Sequence, residues 1–147
     1  MKRPDKGMTL IVKEVTRLTV GLILLFGIYI MLHGHITPGG GFTGGVIVAL
    51  SFIHLVLAYG GDYAYGKMNK SRSSFSEGLG ALLFLGIALL GFTGGYFFLN
   101  FISKGEPFHL SSAGIIPLCN IAICLKVWAG LYLIFVFLTT FQPGRKE

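Results

Sequence analysis

The sequence predicts an all-α integral membrane protein, four transmembrane helices in one domain over 1–147, with both termini on the cytoplasmic side. Three observations lead there. Of the 147 residues, 53% are hydrophobic and only 12% charged, against about 25% charged in a soluble domain. Such a chain suits a surface that faces lipid rather than water. The apolar residues fall into four long runs separated by polar or glycine-rich breakers. The basic residues gather in alternate breakers.

The first helix is expected over 12–32. Its uncharged part, Leu18 to Leu32, covers about 22 Å at helical rise and falls short of a hydrocarbon core of ~30 Å. The preceding turn, with Lys13, Glu14 and Arg17, completes the span, its long side chains snorkelling to the inner surface. No small-residue cleavage site follows; His33-Gly34-His35-Ile36-Thr37-Pro38 comes instead, so this helix is read as retained. The second helix is expected over 40–59, the third over 78–100 and the fourth over 115–141, the last containing one charge, Lys126. The second link, Gly60 to Glu77, is polar and serine-rich and reads as an inner loop. The third, Phe101 to Gly114, carries Gly105, Pro107, Ser111 and Ser112, and Pro107-Phe108-His109-Leu110 is expected along the outer interface.

Orientation follows from Lys and Arg. Lys2, Arg3, Lys6, Lys13 and Arg17 precede the first span, Lys67, Lys70 and Arg72 lie in the second link, and Arg145 and Lys146 end the chain. The first link has none and the third only Lys104. Ten against one is a positive-inside pattern that four spans with both ends inside satisfy, in a multi-pass protein of the cell membrane. The net charge of +6 does not point to nucleic acid, because the basic residues sit in short loops and form no basic helix or patch. They suit loops facing an anionic inner leaflet of the bilayer. Cys119 and Cys124 fall inside an apolar run without CxxC spacing or a ligand set, and read as buried small hydrophobes.

Several residues are out of place in lipid. Lys126 lies near the middle of the fourth run, where a charge costs about 2.5–3.5 kcal/mol on insertion scales. It reads either as a proton-relay or cation-gating group or as a lysine locked to a carboxylate of a neighbouring subunit. No carboxylate of this chain is expected at its depth: Asp62 and Glu77 are near the inner end and Glu106 is outside. His54, in the inner half of the second run, is either a titrating group or a histidine hydrogen-bonded to a neighbouring helix, the latter leading. Asn120 is six residues before Lys126, so on a regular helix the two side chains point roughly 120° apart; interhelical hydrogen bonding is its leading role. Glu77 opens the third run, with Ser73, Ser74 and Ser76 as candidate caps and the carboxylate suiting the helix dipole; proton entry is the minor reading. His33 and His35 alone do not make a metal site.

Glycine supplies 22 residues, densest in Pro38-Gly39-Gly40-Gly41-Phe42-Thr43-Gly44-Gly45. Pro38 ends the first link and the glycines open the second helix while allowing close backbone approach. Gly40/Gly44 and Gly41/Gly45 have GxxxG spacing. A phosphate cradle would need a preceding strand and a following Lys-Ser or Lys-Thr, and neither is present. Gly41-Phe42-Thr43-Gly44-Gly45 recurs as Gly91-Phe92-Thr93-Gly94-Gly95. The two copies, Gly91 and Gly95 included, are expected to pack the second and third helices closely together in their outer halves.

His33-Gly34-His35, followed by Pro38-Gly39-Gly40-Gly41-Phe42 and Gly44-Gly45, resembles the signature of the B subunit of Mrp-type (Mnh) multisubunit sodium/proton antiporters. The last run, with Asn120-Ile121, Leu125-Lys126-Val127 and Gly130, looks like that family's final helix. Ile36-Thr37 stands where the family often has Asn-Ser or Asn-Ala, a departure that leaves the turn intact. The resemblance implies a small non-catalytic partner in a hetero-oligomeric complex that exchanges Na+ for H+. As an alternative it implies the same module in membrane-bound hydrogenases and related respiratory-type complexes, where redox energy drives an ion gradient.

The residues themselves add to this. A chain with glycine-rich faces and one unpaired intramembrane lysine is poorly suited to act alone. Its spans hold too few acidic residues to bind sodium within one chain; Thr43, Ser51 and Thr93 offer hydroxyls that serve helix backbones equally well. No span offers a nucleophile with a base, a metal set or a cofactor box, so no enzyme and no cofactor are expected. A self-contained small channel is a further alternative, weakened by the lack of a charged ring. The candidates for an ion path or for coupling to other subunits are Lys126, His54, Asn120 and Glu77.

Overall fold

In the computed structural model, residues 7–60, 70–102, 105–106, 109 and 112–140 are described. Among them are four helices: α1 (Leu10–Leu32), α2 (Gly41–Tyr59), α3 (Lys70–Leu90) and α4 (Ile116–Thr140). All four are long and apolar enough to cross a membrane, which makes this a multi-pass membrane protein. The basic residues of the two termini, Asp62, Lys67, Lys104 and the segment around Pro107, Phe108 and Leu110 lie outside the described residues.

The helices stand in a row. α1 packs on α2, α2 on α4 and α4 on α3, while α1 touches α4 only slightly. Within lipid there is no hydrophobic drive to bring helices together, so association depends on close packing and interhelical hydrogen bonds. Small residues accordingly mark the contacts. α1 buries only Thr16 and Gly27, and α3 only Ser73, Gly80 and Ala88. The two inner helices bury more. α2 buries a face running from Gly41 through Gly45, Ala49 and Ser51 to Val56 and Ala58. α4 buries Asn120, Ala122, Cys124, Ala129, Tyr132 and Val136. Val56, Tyr132 and Val136 form a core, with Phe52, Trp128 and Phe135 against it.

The start of α1 is tied to the end of α2. Met8 N–H donates to Ala58 O at 3.0 Å, and Tyr59 OH donates to Lys13 O at 3.1 Å. At the other end α1 stops at a turn in which the Ile36 and Thr37 N–H groups both donate to His33 O at 2.9 Å. Pro38 leads into Gly39 (φ 143°) and Gly40 (φ 88°), a left-handed passage that glycine alone takes without strain. α2 then begins at Gly41.

The third helix departs from expectation at both ends. It starts at Lys70, eight residues before the expected 78, so Ser73, Ser74, Ser76 and Glu77 lie within it and do not cap it. Lys70 to Ser76 contain neither Gly nor Pro, and a helix continues past the apolar core wherever its backbone is satisfied. Its far end comes at Leu90, not Asn100. Gly91–Gly94 tightens into a 3-10 turn and Gly95 adopts φ 100°, its N–H donating to Phe92 O. The chain then doubles back, with Phe98 N–H donating to Ala88 O at 3.3 Å and the Phe84 and Phe98 rings 5.3 Å apart. Asn100 Oδ1 accepts from Ile115 N–H at 3.1 Å, just ahead of α4.

Gly91 and Gly95 therefore do not pack α3 against α2. A Cβ at Gly91 would meet the returning backbone of Phe98 and Leu99, and one at Gly95 would meet nothing within 4 Å. The second copy of the glycine motif is a helix stop. The sequence match misled because a run of Gly, Phe and Thr is equally compatible with an apolar span and with a tight turn.

Candidate functional site

The first copy of the motif divides its glycines between two neighbours. Gly44 faces α1, where a Cβ would stand 2.9 Å from Gly27 O and from Met31 Cβ. Gly45 faces α4, where a Cβ would stand 2.8 Å from Val127 Cβ and 3.0 Å from Cys124 O. Gly41 lies directly on the Asn120 backbone, with its missing Cβ 2.8 Å from Asn120 Cα. Phe42 turns away and is 63% exposed. The pairs 41–120 and 45–127 ascend together, so α2 and α4 run parallel.

Asn120 sits at this joint and is only 9% exposed. Its Oδ1 accepts the Gly41 N–H at 3.2 Å, satisfying one of the donors that the start of a helix leaves free. Its Nδ2 lies 2.8 Å from where a Gly34 Cβ would be and has no partner among the described residues. Gly34, Gly40, Gly41 and Asn120 thus close the link over the top of α4. In the sequence Gly34 stands out only within the His33-Gly34-His35 signature; its place between two histidines in a link carries no packing signal.

His33 and His35 are held by backbone. His33 Nδ1 donates to Tyr29 O at 3.1 Å and its ring stacks on Tyr29 at 4.2 Å. His35 Nε2 donates to His109 O at 3.2 Å, bringing the first and third links together. His54 faces α1, its Nε2 3.4 Å from the Oγ1 of Thr16, a hydroxyl on a residue that is 1% exposed.

Lys126 belongs to the opposite side of α4. It is exposed, and it lines a groove of about 290 Å³ with Gly80, Ala81, Phe84, Ala122, Ile123 and Val127. Gly80 closes the floor of this groove by bringing α3 onto α4: a Cβ there would stand 2.8 Å from Lys126 N and from Ala122 O. Sequence reasoning gave Ser73 a capping role only and did not pick out Gly80 or Ala88, although the seven- and eight-residue separations of these three small residues were the available signal.

Glu77 is closer to Lys126 than its sequence position suggested. Its Oε1 lies 3.7 Å from where a Cβ of Gly130 would be, one helical turn beyond Lys126. Yet among the described residues neither Glu77 nor Lys126 makes an ion pair. Helix geometry accounts for this. α3 and α4 are antiparallel, with Lys70 over the Phe137 ring at 4.7 Å and Gly80 at Lys126. Side chains lean toward the N-terminus of their own helix, so Glu77 leans one way along the seam and Lys126 the other. Of the four candidates, then, Asn120 and Lys126 are on opposite sides of α4, Glu77 shares the Lys126 seam, and His54 stands apart against α1.

A family model described as a domain related to the MnhB subunit of Na+/H+ antiporter matches residues 11–133. The chain is 34% identical over 144 residues to the B subunit of the Na+/H+ antiporter of Bacillus subtilis, covering 92% of this chain and 90% of that protein. It is 44% identical over 117 residues to an uncharacterized protein of Methanocaldococcus jannaschii, covering 75% of this chain but 44% of that one. Among solved structures it is similar to a chain of the membrane-bound sulfane sulfur reductase, an archaeal respiratory membrane complex. There the TM-score is 0.77 and the identity 28%, over 95% of this chain and 63% of that chain. The chain thus spans less than two thirds of the length of the latter two.

Proposed function

The chain belongs to the family of domains related to the MnhB subunit of Na+/H+ antiporter, and from that premise we propose that it is a small, non-catalytic membrane subunit of a multisubunit cation/proton antiporter. The observation that carries this reading is the similarity to the Bacillus subtilis protein over 90% of that protein's length. The row of helices agrees with it, because a row leaves two broad apolar faces for neighbouring chains, and Lys126 has no ion pair among the described residues. Na+ and H+ would be the exchanged ions of the whole complex. This chain would contribute packing and, through Lys126 and Glu77, a polar element where it meets its neighbours. The charge pattern supports both termini in the cytoplasm.

A second reading, a subunit of an ion-pumping respiratory-type complex, is favoured by the similarity to the sulfane sulfur reductase chain. Purification of the native protein in mild detergent, with its companions identified by mass spectrometry, separates the two. Large antiporter-like chains alone support the first; the same chains with iron–sulfur or nickel–iron subunits support the second. A chain that purifies by itself would overturn both.

A further inference from the structure

Lys126 is near the middle of α4 (Ile116–Thr140), ten residues or about 15 Å from its nearer end. A lysine side chain is too short to snorkel that far along the helix, so its ammonium cannot reach headgroups at either surface. It is exposed and without an ion pair among the described residues. Facing lipid in that state is costly, and intramembrane cations face protein or water and are matched by a counter-group. The chain's own candidate, Glu77, leans away along the seam. The rest of the groove is small or apolar: Gly80, Ala81, Phe84, Ala122, Ile123 and Val127. Gly80 and Ala122 are taken up by the contact between α3 and α4, while the small, exposed Ala81 beside Lys126 leaves room for another helix to come close.

We propose that this groove between α3 and α4 seats a transmembrane helix of a partner membrane protein, and that an Asp or Glu of that helix pairs with Lys126. The occupant follows from charge complementarity: a cation at mid-membrane depth, in a groove that otherwise offers only shape, selects a helix carrying one carboxylate at the same depth. The proposal rests on the multisubunit reading above.

The test uses the intact complex in native membranes, with a photoreactive amino acid replacing Ile123, followed by mass spectrometry of the crosslinked product. The expected product joins Ile123 to a membrane segment that bears an Asp or Glu within one helical turn of the link. In parallel, Lys126→Met should lower recovery of that same partner roughly tenfold, with Lys126→Arg restoring much of it. Lipid adducts alone, a captured segment without a carboxylate, or undiminished recovery with Lys126→Met would each overturn the proposal. The crosslinking arm keeps the native lysine, so it stands even if Lys126→Met impairs folding. If the unaltered chain brings down no partner, the multisubunit reading itself has failed, a result distinct from a complex that forms with this groove facing lipid.

Discussion

Along one side of α4, Asn120, Cys124 and Val127 receive Gly41 and Gly45 so closely that a single added carbon would collide with backbone. Along the other, Gly80 brings α3 just as near, onto the backbone of Ala122 and Lys126, and the groove lies beside that contact. Both seams use glycine for close approach. They differ in their polar group. On the α2 side, Asn120 turns inward and is bound to Gly41 N–H; on the α3 side, Lys126 is exposed and makes no ion pair among the described residues. A neutral amide can stay inside one chain with its oxygen bound to a backbone donor, even with its Nδ2 unpartnered among the described residues, whereas a lysine in a membrane needs a charge or water. The first seam is therefore internal architecture, and the second has the composition of a boundary.

Substitutions test that contrast. Gly41→Leu should have the largest effect, because its side chain would stand on the Asn120 backbone; a loss of about 3 kcal/mol or more, or failure to recover folded protein, is expected. Thermal unfolding in mild detergent is the measurement. Gly45→Leu, which meets Val127 Cβ and Cys124 O, should cost about 1–3 kcal/mol by the same assay, while Gly86→Leu, with nothing within 4 Å, serves as its silent counterpart. Asn120→Ala should cost about 1–2 kcal/mol, since Gly41 N–H then loses its acceptor; a stability equal to the parent would remove Asn120 from the joint. Lys126→Met should be smallest, within about 0.5 kcal/mol for the chain separated from any partner. A large loss there would mean that the α3–α4 seam is as closed as the other.

The sequence carried the number of membrane helices, the link with its Pro38 turn, and the divergence of Asn120 from Lys126 on one helix. Each of these depends on local pattern: apolar run length, glycine and proline chemistry, and helical arithmetic. It did not carry which helix each glycine meets. Gly41 and Asn120 are far apart in the chain, and a GxxxG spacing identifies a face without naming its neighbour. The bounds of α3 were obscured for a related reason. At Lys70–Ser76 polarity marks where the helix leaves the apolar layer, not where it ends, and at Gly91–Asn100 the residues stay largely apolar while the backbone turns back. The lean of Glu77 away from Lys126 required knowing that the two helices are antiparallel and adjacent.

The row order also bears on synthesis. Chains emerge from the ribosome N-terminus first, so α1 and α2 can form their hairpin and join at Gly27 and Gly44 while the rest is still being made. α3 has no such opportunity: its principal neighbour is α4, the last helix translated. Until α4 arrives, Ser73, Glu77 and Gly80 wait in the bilayer without the surface they were shaped to meet. Maturation of the chain therefore has a vulnerable interval between its third and fourth helices, and truncation after α3 would leave a closed hairpin trailing an undocked segment.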